Sequence, residues 1–429
     1  MGKQTPAHER SGGLALSSRR RTRSRLPTSP DDDGDDDEYM QDNNLLYGYS
    51  EMPGKRIIME DAICAHYPLI PPKFATNDDD VSSSKQRKHW VGFFGVFDGH
   101  GDGGAISKYV AEHVVNQVCG TNDWQSYMGG MDCLARSLTK ACTELDADMS
   151  KLSWSTNGGS TGIMAMISGD SIVVANVGDS RCILIQSPET NKDAEKQTTM
   201  SQLTDATTQL SLTSTEEQTD TKKESHSGGG EKMVVVKALS EDHKPDLPVE
   251  RKRIEEAGLT VVADTFLEEG DDTETTIYKI QKSTNNKIAV SRAFGDFDYK
   301  DQSDKPSDQQ AIVATPEIQI HARDPNRDLF LVLACDGVWD VMTNQEVGDF
   351  CAKTHAELLS NSGNNRPTTT TALTPEQVLP EVGDRLLKEC VEVRGTRDNV
   401  SVLIVNLENT LNQTNLGAGT AVRALQFDD

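Results

Sequence analysis

An α+β fold resting on antiparallel sheets is what this sequence predicts, on three observations. Short runs rich in β-branched residues follow one another across turn-length gaps, as at 162–167, 171–177 and 181–185. Helical periodicities gather in blocks of their own, without the strict strand–helix alternation that makes a parallel sheet. With its low-complexity segments set aside, the chain of 429 residues keeps roughly 320 for one large core.

In order along the chain, residues 1–43 form two blocks of opposite charge. Arg19, Arg20, Arg21, Arg23 and Arg25 sit among serines and prolines, and an acidic run from Asp31 to Glu38 follows. Neither block has apolar periodicity, so the segment reads as a disordered tail. The basic cluster has the composition of a nuclear localisation signal, but a solvated tail is the simpler reading. Gly2 starts a myristoylation pattern that Pro6 breaks, where Ser or Thr is wanted. A strand at 90–97 leads to a helix at 104–118, with Ile106, Tyr109, Val110, Val114 and Val118 on one face. Leu134, Leu138, Cys142, Leu145 and Met149 mark a second helix. Strands at 162–167, 171–177, 181–185 and 233–238 come next. The last two flank the Thr-, Gln-, Ser- and Glu-rich stretch 187–232, which reads as a long insertion in a hairpin loop. Loop closure grows only logarithmically with length, so it costs little stability. Strands at 287–290, 329–334 and 399–405 complete the sheets. Thr343-x-x-Glu346 is a capping box opening a helix through Val347, Phe350 and Cys351. Thr374-Pro375-x-Gln377 opens a last helix carrying Leu386, Leu387 and Cys390, in which Pro380 predicts a kink or a late start. Residues 408–429 lack periodicity and read as a C-terminal tail.

Composition excludes several classes. Acidic side chains outnumber basic ones 68 to 43, a formal net charge of −25, which disfavours nucleic-acid and anionic-membrane binding. The longest apolar run, Leu329 to Cys335, is far short of the ~20 residues that span a bilayer. The first thirty residues hold no apolar h-region, so no secretory signal is expected. Eight cysteines without a C-x-x-C pair favour reduced thiols in an intracellular protein, cytoplasmic or nuclear.

Three strand ends stop in aspartate. Val91–Phe97 runs into Asp98-Gly99-His100-Gly101, Leu329–Cys335 runs into Asp336-Gly337-Val338-Trp339-Asp340, and Asp398-Asn399 opens the strand from Val400. Glu60-Asp61 follows Arg56 and Met59. One such tip is an ordinary Asp-Gly turn. Several gathered at one sheet edge would repel one another unless cations neutralised them. Hard carboxylate oxygens select Mg²⁺ or Mn²⁺ over Zn²⁺ or copper. Two such ions would generate a hydroxide and neutralise phosphate oxygens. Arg56 could then grip a phosphate as a fork, and His100 could protonate a leaving oxygen. Gly99-x-Gly101-x-x-Gly104 also satisfies a dinucleotide fingerprint. Asp98 and Asp102 would place two carboxylates against a pyrophosphate there, and Asp123 does not end a second parallel strand, so that reading is set aside.

The ordered segments Arg56-Ile-Ile-Met-Glu60-Asp61, Val96-Phe-Asp98-Gly-His100-Gly, Gly159-Ser-Thr-Gly162 and Val177-Gly-Asp179-Ser-Arg181 are the first half of a recognisable series. Glu241-Asp-His243-Lys-Pro245, Ala289-Val-Ser-Arg-Ala-Phe-Gly-Asp-Phe-Asp298, Ala334-Cys-Asp336-Gly-Val-Trp-Asp340 and Arg397-Asp398-Asn399-Val-Ser401 complete it. Together they resemble the metal-dependent Ser/Thr protein phosphatases of the protein phosphatase 2C type, over roughly 48–406. The resemblance implies a four-layer sandwich: two antiparallel sheets face to face with helices on both outer sides. It implies a catalytic domain at 44–407 with a bimetal cleft at one end. By the same carry-over Asp98 bridges two Mg²⁺ or Mn²⁺ ions, and Glu60 or Asp61 lies at the centre, Asp61 through water. Asp336 and Asp398 ligate one ion and the Gly99 carbonyl the other. Asp179 and Asp340 match a weaker third position, Arg56 the phosphate-binding arginine and His100 the general acid. The implied reaction is attack of a metal-bound hydroxide on phosphoserine or phosphothreonine in phosphoprotein substrates, without a phosphoenzyme, by a monomer.

Three features depart from that pattern: Asp102 within the turn, the insertion at 187–232, and the acidic stretch Asp264–Thr276 near the family's variable flap. A catalytically silent pseudophosphatase acting as a scaffold is the alternative, but it should have lost a metal carboxylate and none is missing. A two-metal nuclease is disfavoured by the net charge.

Overall fold

Two antiparallel sheets lie at the centre of the structure, a computed structural model describing residues 19–23, 45–74, 90–154, 158–188, 234–267, 274–363 and 373–408. The first sheet runs β1 (Arg19–Arg23), β2 (Leu46–Met52), β17 (Val400–Asn406), β16 (Asp328–Ala334), β9 (Arg181–Gln186), β10 (Val235–Ala238). The second runs β15 (Glu317–Ala322), β8 (Ser171–Val177), β7 (Gly162–Ile167), β4 (Val91–Phe97), β3 (Ala62–Leu69). Neighbouring strands in both are antiparallel.

Strand periodicity separates the layers. All seven residues of β4 are buried, because both of its faces are covered. Phe94 and Val96 point to the core between the sheets, where Ile163, Leu184, Leu333 and Leu403 join them. The Tyr47 and Phe94 rings meet edge-on across that core, 5.2 Å apart. Val91, Phe93 and Phe97 face the other way, against α1 (Ala105–Gly120) and α3 (Met131–Met149). On the far side, α6 (Asn344–Gly363) and α7 (Pro375–Lys388) cover the first sheet through Val347, Cys351, Leu386 and Leu387. Helix, sheet, sheet, helix is the four-layer order expected. Each fully buried Val, Leu or Phe contributes about 1.5–3 kcal/mol, so three such interfaces hold the frame.

Short elements complete the frame: α2 (Asn122–Gln125), α5 (Asp336–Trp339), and a small sheet of β5 (Gly99–His100), β6 (Gly159–Ser160) and β14 (Phe294–Gly295). A flap of β11 (Thr260–Leu267), β12 (Glu274–Ser283) and β13 (Asn286–Ile288) packs with α4 (Pro248–Glu256) around Ile254, Ile280 and Ile312.

Both capping boxes form: Thr343 N donates to Glu346 Oε2 at 2.9 Å, and Thr374 N to Gln377 Oε1 at 3.0 Å. The late start read from Pro380 is not observed. The helix begins at Pro375, and Pro380 packs so closely on β2 that a Cβ on Gly48 would lie 2.5 Å from its Cδ. The strand read at 287–290 is shorter and sits at Asn286–Ile288. Within the segment read as a charged tail, Arg19–Arg23 pairs with β2 as an edge strand. The rest of residues 1–43, most of 187–232, residues 268–273 of the acidic stretch and 409–429 lie outside the described residues. All eight cysteines are unpaired, as their spacing suggested. No helix among the described residues is long and apolar enough to cross a membrane.

Candidate active site

Register brings the acidic tips together. Ala62 pairs with Phe97, so Asp61 before β3 and Asp98 after β4 are neighbours at one end of the second sheet. In the first sheet Ala334 pairs with Val402, and Cys335 N donates to Ser401 O at 3.2 Å, which sets Asp336 and Asp398 at the same end. Face-to-face packing joins the two sets. Ligand atoms of Asp61, Asp98 and Cys335 all lie within 4.8 Å of one another. Ser401 Oγ donates to Asp61 Oδ2 at 2.7 Å across the sheets, while buried Asp61 Oδ1 has no hydrogen-bond partner among the described residues.

Backbone contacts hold the surrounding loops. Asn399 Nδ2 donates to the carbonyls of Pro53 and Ile58, both at 3.0 Å, and its Oδ1 accepts from Glu60 N at 2.8 Å. One amide thus fixes the loop carrying Arg56 and Glu60. Gly54 has φ +60°, and a Cβ there would lie 2.0 Å from the Asp398 carbonyl. Residues Gly101 to Gly104 all have positive φ (74°, 47°, 65° and 72°), and a Cβ on Gly104 would meet Glu60 O at 2.3 Å. The glycine spacing that mimicked a dinucleotide fingerprint therefore serves a left-handed turn pressed against Glu60. Asp102 is the exposed non-glycine of that turn.

The electrostatics follow from burial. Burial, then the charges of Asp61 and Asp179, push Asp98 well above the carboxylate range. Burial, then Asp98, Asp179 and Asp340, do the same to Asp336. Burial lifts Asp61 to about 7 despite the Ser401 hydrogen bond. Asp340 is raised too, first by desolvation, with the Lys244 charge opposing. Carboxylates this crowded stay ionised only beside cations. The unpartnered Asp61 oxygen and an all-carboxylate set of hard donors fit Mg²⁺ or Mn²⁺. Cys335 is within reach, but burial drives its thiol well up. It accepts from Ser401 N at 3.2 Å and donates to Asn399 O at 3.5 Å, so it acts as a neutral floor.

The remaining expected residues ring this centre. Arg56, 53% exposed, places Nη2 2.7 Å from Asp398 Oδ2. His100 Nε2 lies 3.0 and 2.9 Å from the two oxygens of buried Asp296. Burial alone would lower the His100 pKa, but Asp296 more than offsets it and the net shift is upward. Glu60 is half-buried, and its charge reaches His100. Gly99 is buried, with no room for a Cβ between Glu60 O and Ser107. Lys244 Nζ contacts Asp179 Oδ2 at 2.5 Å. A groove of about 620 Å³ lined by Arg181, Trp339, Asp340, Met342 and Glu346 opens beside Asp340. The residue reading missed Asn399, Ser401, Cys335, Asp296 and Lys244 as working parts. All five lie within the quoted motifs, but no local pattern shows what they touch.

The family model for protein phosphatase 2C matches residues 46–207 and 223–377. Protein phosphatase 1A of Oryctolagus cuniculus is 29% identical over 375 residues, covering 86% of this chain and 72% of that protein. Protein phosphatase 2C homolog 2 of Schizosaccharomyces pombe is 31% identical over 313 residues, covering 72% of this chain and 62% of that protein. The crystal structure of a serine-threonine phosphatase 2C from Toxoplasma gondii superposes with a TM-score of 0.54 at 19% identity, over 91% of this chain and 99% of that one.

Proposed function

The chain belongs to the protein phosphatase 2C family, which are divalent-metal-dependent serine/threonine phosphatases, and from that premise we propose how its own residues hydrolyse phosphoserine and phosphothreonine in phosphoproteins. The observation carrying the proposal is the convergence of Asp61, Asp98 and Asp336 from the ends of two packed sheets, with one buried carboxylate oxygen left over. The catalytic unit is assigned to 44–407, acting as a monomer inside the cell.

In this reading two Mg²⁺ or Mn²⁺ ions would be held by Asp98, Asp336, Asp398 and the Gly99 carbonyl, with Glu60 and Asp61 completing the centre. Asp179 and Asp340 would hold a weaker third cation. When bound, the cations supply an activated water and neutralise phosphate oxygens. Every other task falls to the chain. Arg56 exchanges Asp398 for the substrate phosphate, and its half-exposed fork supports that exchange. His100 is held through Nε2 by Asp296, which keeps the imidazole charged and oriented. As water oxygen bonds to phosphorus, the ester P–O bond breaks and the proton on the other ring nitrogen, Nδ1, passes to the departing Ser or Thr oxygen. The reading needs no phosphoenzyme, and Cys335, the thiol among the clustered ligand atoms, is held protonated by burial.

The purified full chain should dephosphorylate a phosphothreonine peptide with Mn²⁺ and lose that activity in EDTA. Equal rates in EDTA, or none with metal, sink the proposal. His100→Ala should slow alkyl phosphates, whose leaving oxygens need a proton, by about 10²-fold or more while sparing p-nitrophenyl phosphate. A uniform loss across leaving groups removes the acid role.

A further inference from the structure

Lys244 is a cation that the fold itself aims into the carboxylate cluster. Asp179 is buried while the lysine side chain is 41% exposed, so the ammonium enters from the solvent side. The pairing is held from both backbones. His243 N donates to Gly178 O at 2.9 Å, Gly178 N donates to His243 Nδ1 at 3.2 Å, and Ser291 N donates to His243 O at 3.0 Å. Asn176 Nδ2 adds bonds to the carbonyls of Gly178 and Glu241, at 3.0 and 2.8 Å. The residues just before Asp179 and just before Lys244 are thus clasped together, and the two charges face each other as a consequence. Burial alone would lower the ammonium's pKa, but Asp179, then Asp336 and Asp340, drive it well up. Among the described residues, ion pairs to the site carboxylates come from Arg56 on Asp398 and Lys244 on Asp179.

We propose that Lys244 is a resident counter-ion that competes with a weakly held divalent cation for Asp179 and so sets the concentration at which that position fills. The inference rests on the reading of Asp179 and Asp340 as the weaker cation position. An ammonium and a divalent ion repel strongly when they share one carboxylate in a partly buried cleft. The flexible four-carbon stem lets the ammonium withdraw toward solvent once the cation arrives. Lys244 does not touch Asp98 or Asp336, so the positions they hold fill first and are not contested. In the metal-free protein the same lysine offsets repulsion among Asp179, Asp336 and Asp340.

The test is calorimetric titration of the metal-stripped full chain with Mn²⁺, comparing wild type with Lys244→Met, Lys244→Gln and Lys244→Arg. Lys244→Met and Lys244→Gln should tighten the weakest binding step on the order of tenfold, the size of effect one nearby charge has on a titrating carboxylate. The tighter steps should not change, and Lys244→Arg should leave all steps near wild type. Melting in EDTA supplies a second readout: Lys244→Met should melt lower than wild type, and saturating Mn²⁺ should erase the difference. A weakest step that is unchanged or weaker in both neutral variants overturns the inference while leaving the metal centre intact. Wild-type protein that takes up no Mn²⁺ overturns the metal-centre reading itself, and the inference with it, so the two failures are distinguishable.

Discussion

Asp98→Ala is expected to lose about 10³-fold or more in kcat while melting higher than wild type in EDTA. The first half follows from position: Asp98 lies where the ends of both sheets meet, and metal-centred charge stabilisation supplies several kcal/mol of the barrier reduction. The second half follows from crowding. In metal-free protein Asp98 is a half-buried carboxyl crowded by the charges of Asp61, Asp179 and Asp398, so removing it relieves repulsion and desolvation together. The pH dependence has a fixed sign. Asp61 is raised from 3.8 to about 7, so its contribution to stability is fully present below about pH 4 and is lost as pH rises through about 7. Metal-free wild type should therefore weaken between about pH 4 and pH 7, Mn²⁺ should restore it, and Asp98→Ala should flatten the trend. Activity assays and melting curves in EDTA across that range check all three. A variant that melts lower than wild type in EDTA at pH 7 contradicts the crowding argument, even if its activity is gone.

The centre was legible because the most buried strands are also the most readable. An apolar run such as Val91–Phe97 or Leu329–Cys335 that stops in aspartate announces a charge at the edge of a core. The parts that stayed unread are those with weak apolar signals or distant partners. Strand β3 lies at a sheet edge and mixes Ala62 and Cys64 with His66 and Pro68, so it shows no clean alternation. The β11–β12 hairpin registered only as an acidic stretch, because among the residues of β12 only Ile280 is buried. Asp264 there pairs with Lys279 and Lys287 at 3.2 and 2.8 Å, within the flap itself. Helix α4 buries just Glu250 and Ile254, too little for an apolar stripe. Contacts were unread for a different reason. Asn399 reaches across more than 330 residues of sequence to Pro53 and Ile58, and Lys244 reaches 65 back to Asp179. The Asp-Asn and His-Lys pairs were visible, but the folded topology alone brings their partners near.

Glu250→Ala should destabilise the protein by about 3–5 kcal/mol, because it strands two guanidinium groups in the interior. The carboxylate is 2% exposed and saturated with donors. Oε1 takes Arg292 Nη2 at 2.7 Å, while Oε2 takes Arg253 Nη1 and Ser291 Oγ, each at 2.7 Å. The arginines reach onward, Arg292 Nη1 to Thr315 O at 3.1 Å and Arg253 Nη2 to Ser291 O at 2.6 Å. This network ties α4 and the flap to the segment that leads into β14 and Asp296, the partner of His100. Burial alone would raise the Glu250 pKa, but hydrogen bonds from Arg292 and the charges of Arg253 and Arg292 hold it at about 2 instead of 4.5. A depressed carboxyl contributes stability that is present above its unfolded value and lost as pH falls through its folded value. The gap between wild type and Glu250→Ala should thus be full above about pH 4.5 and close toward pH 2. Urea unfolding at pH 7 and at stepwise lower pH measures it. A loss under about 1 kcal/mol at pH 7, the range of an exposed ion pair, would mean that the network is solvated and the flap is anchored elsewhere.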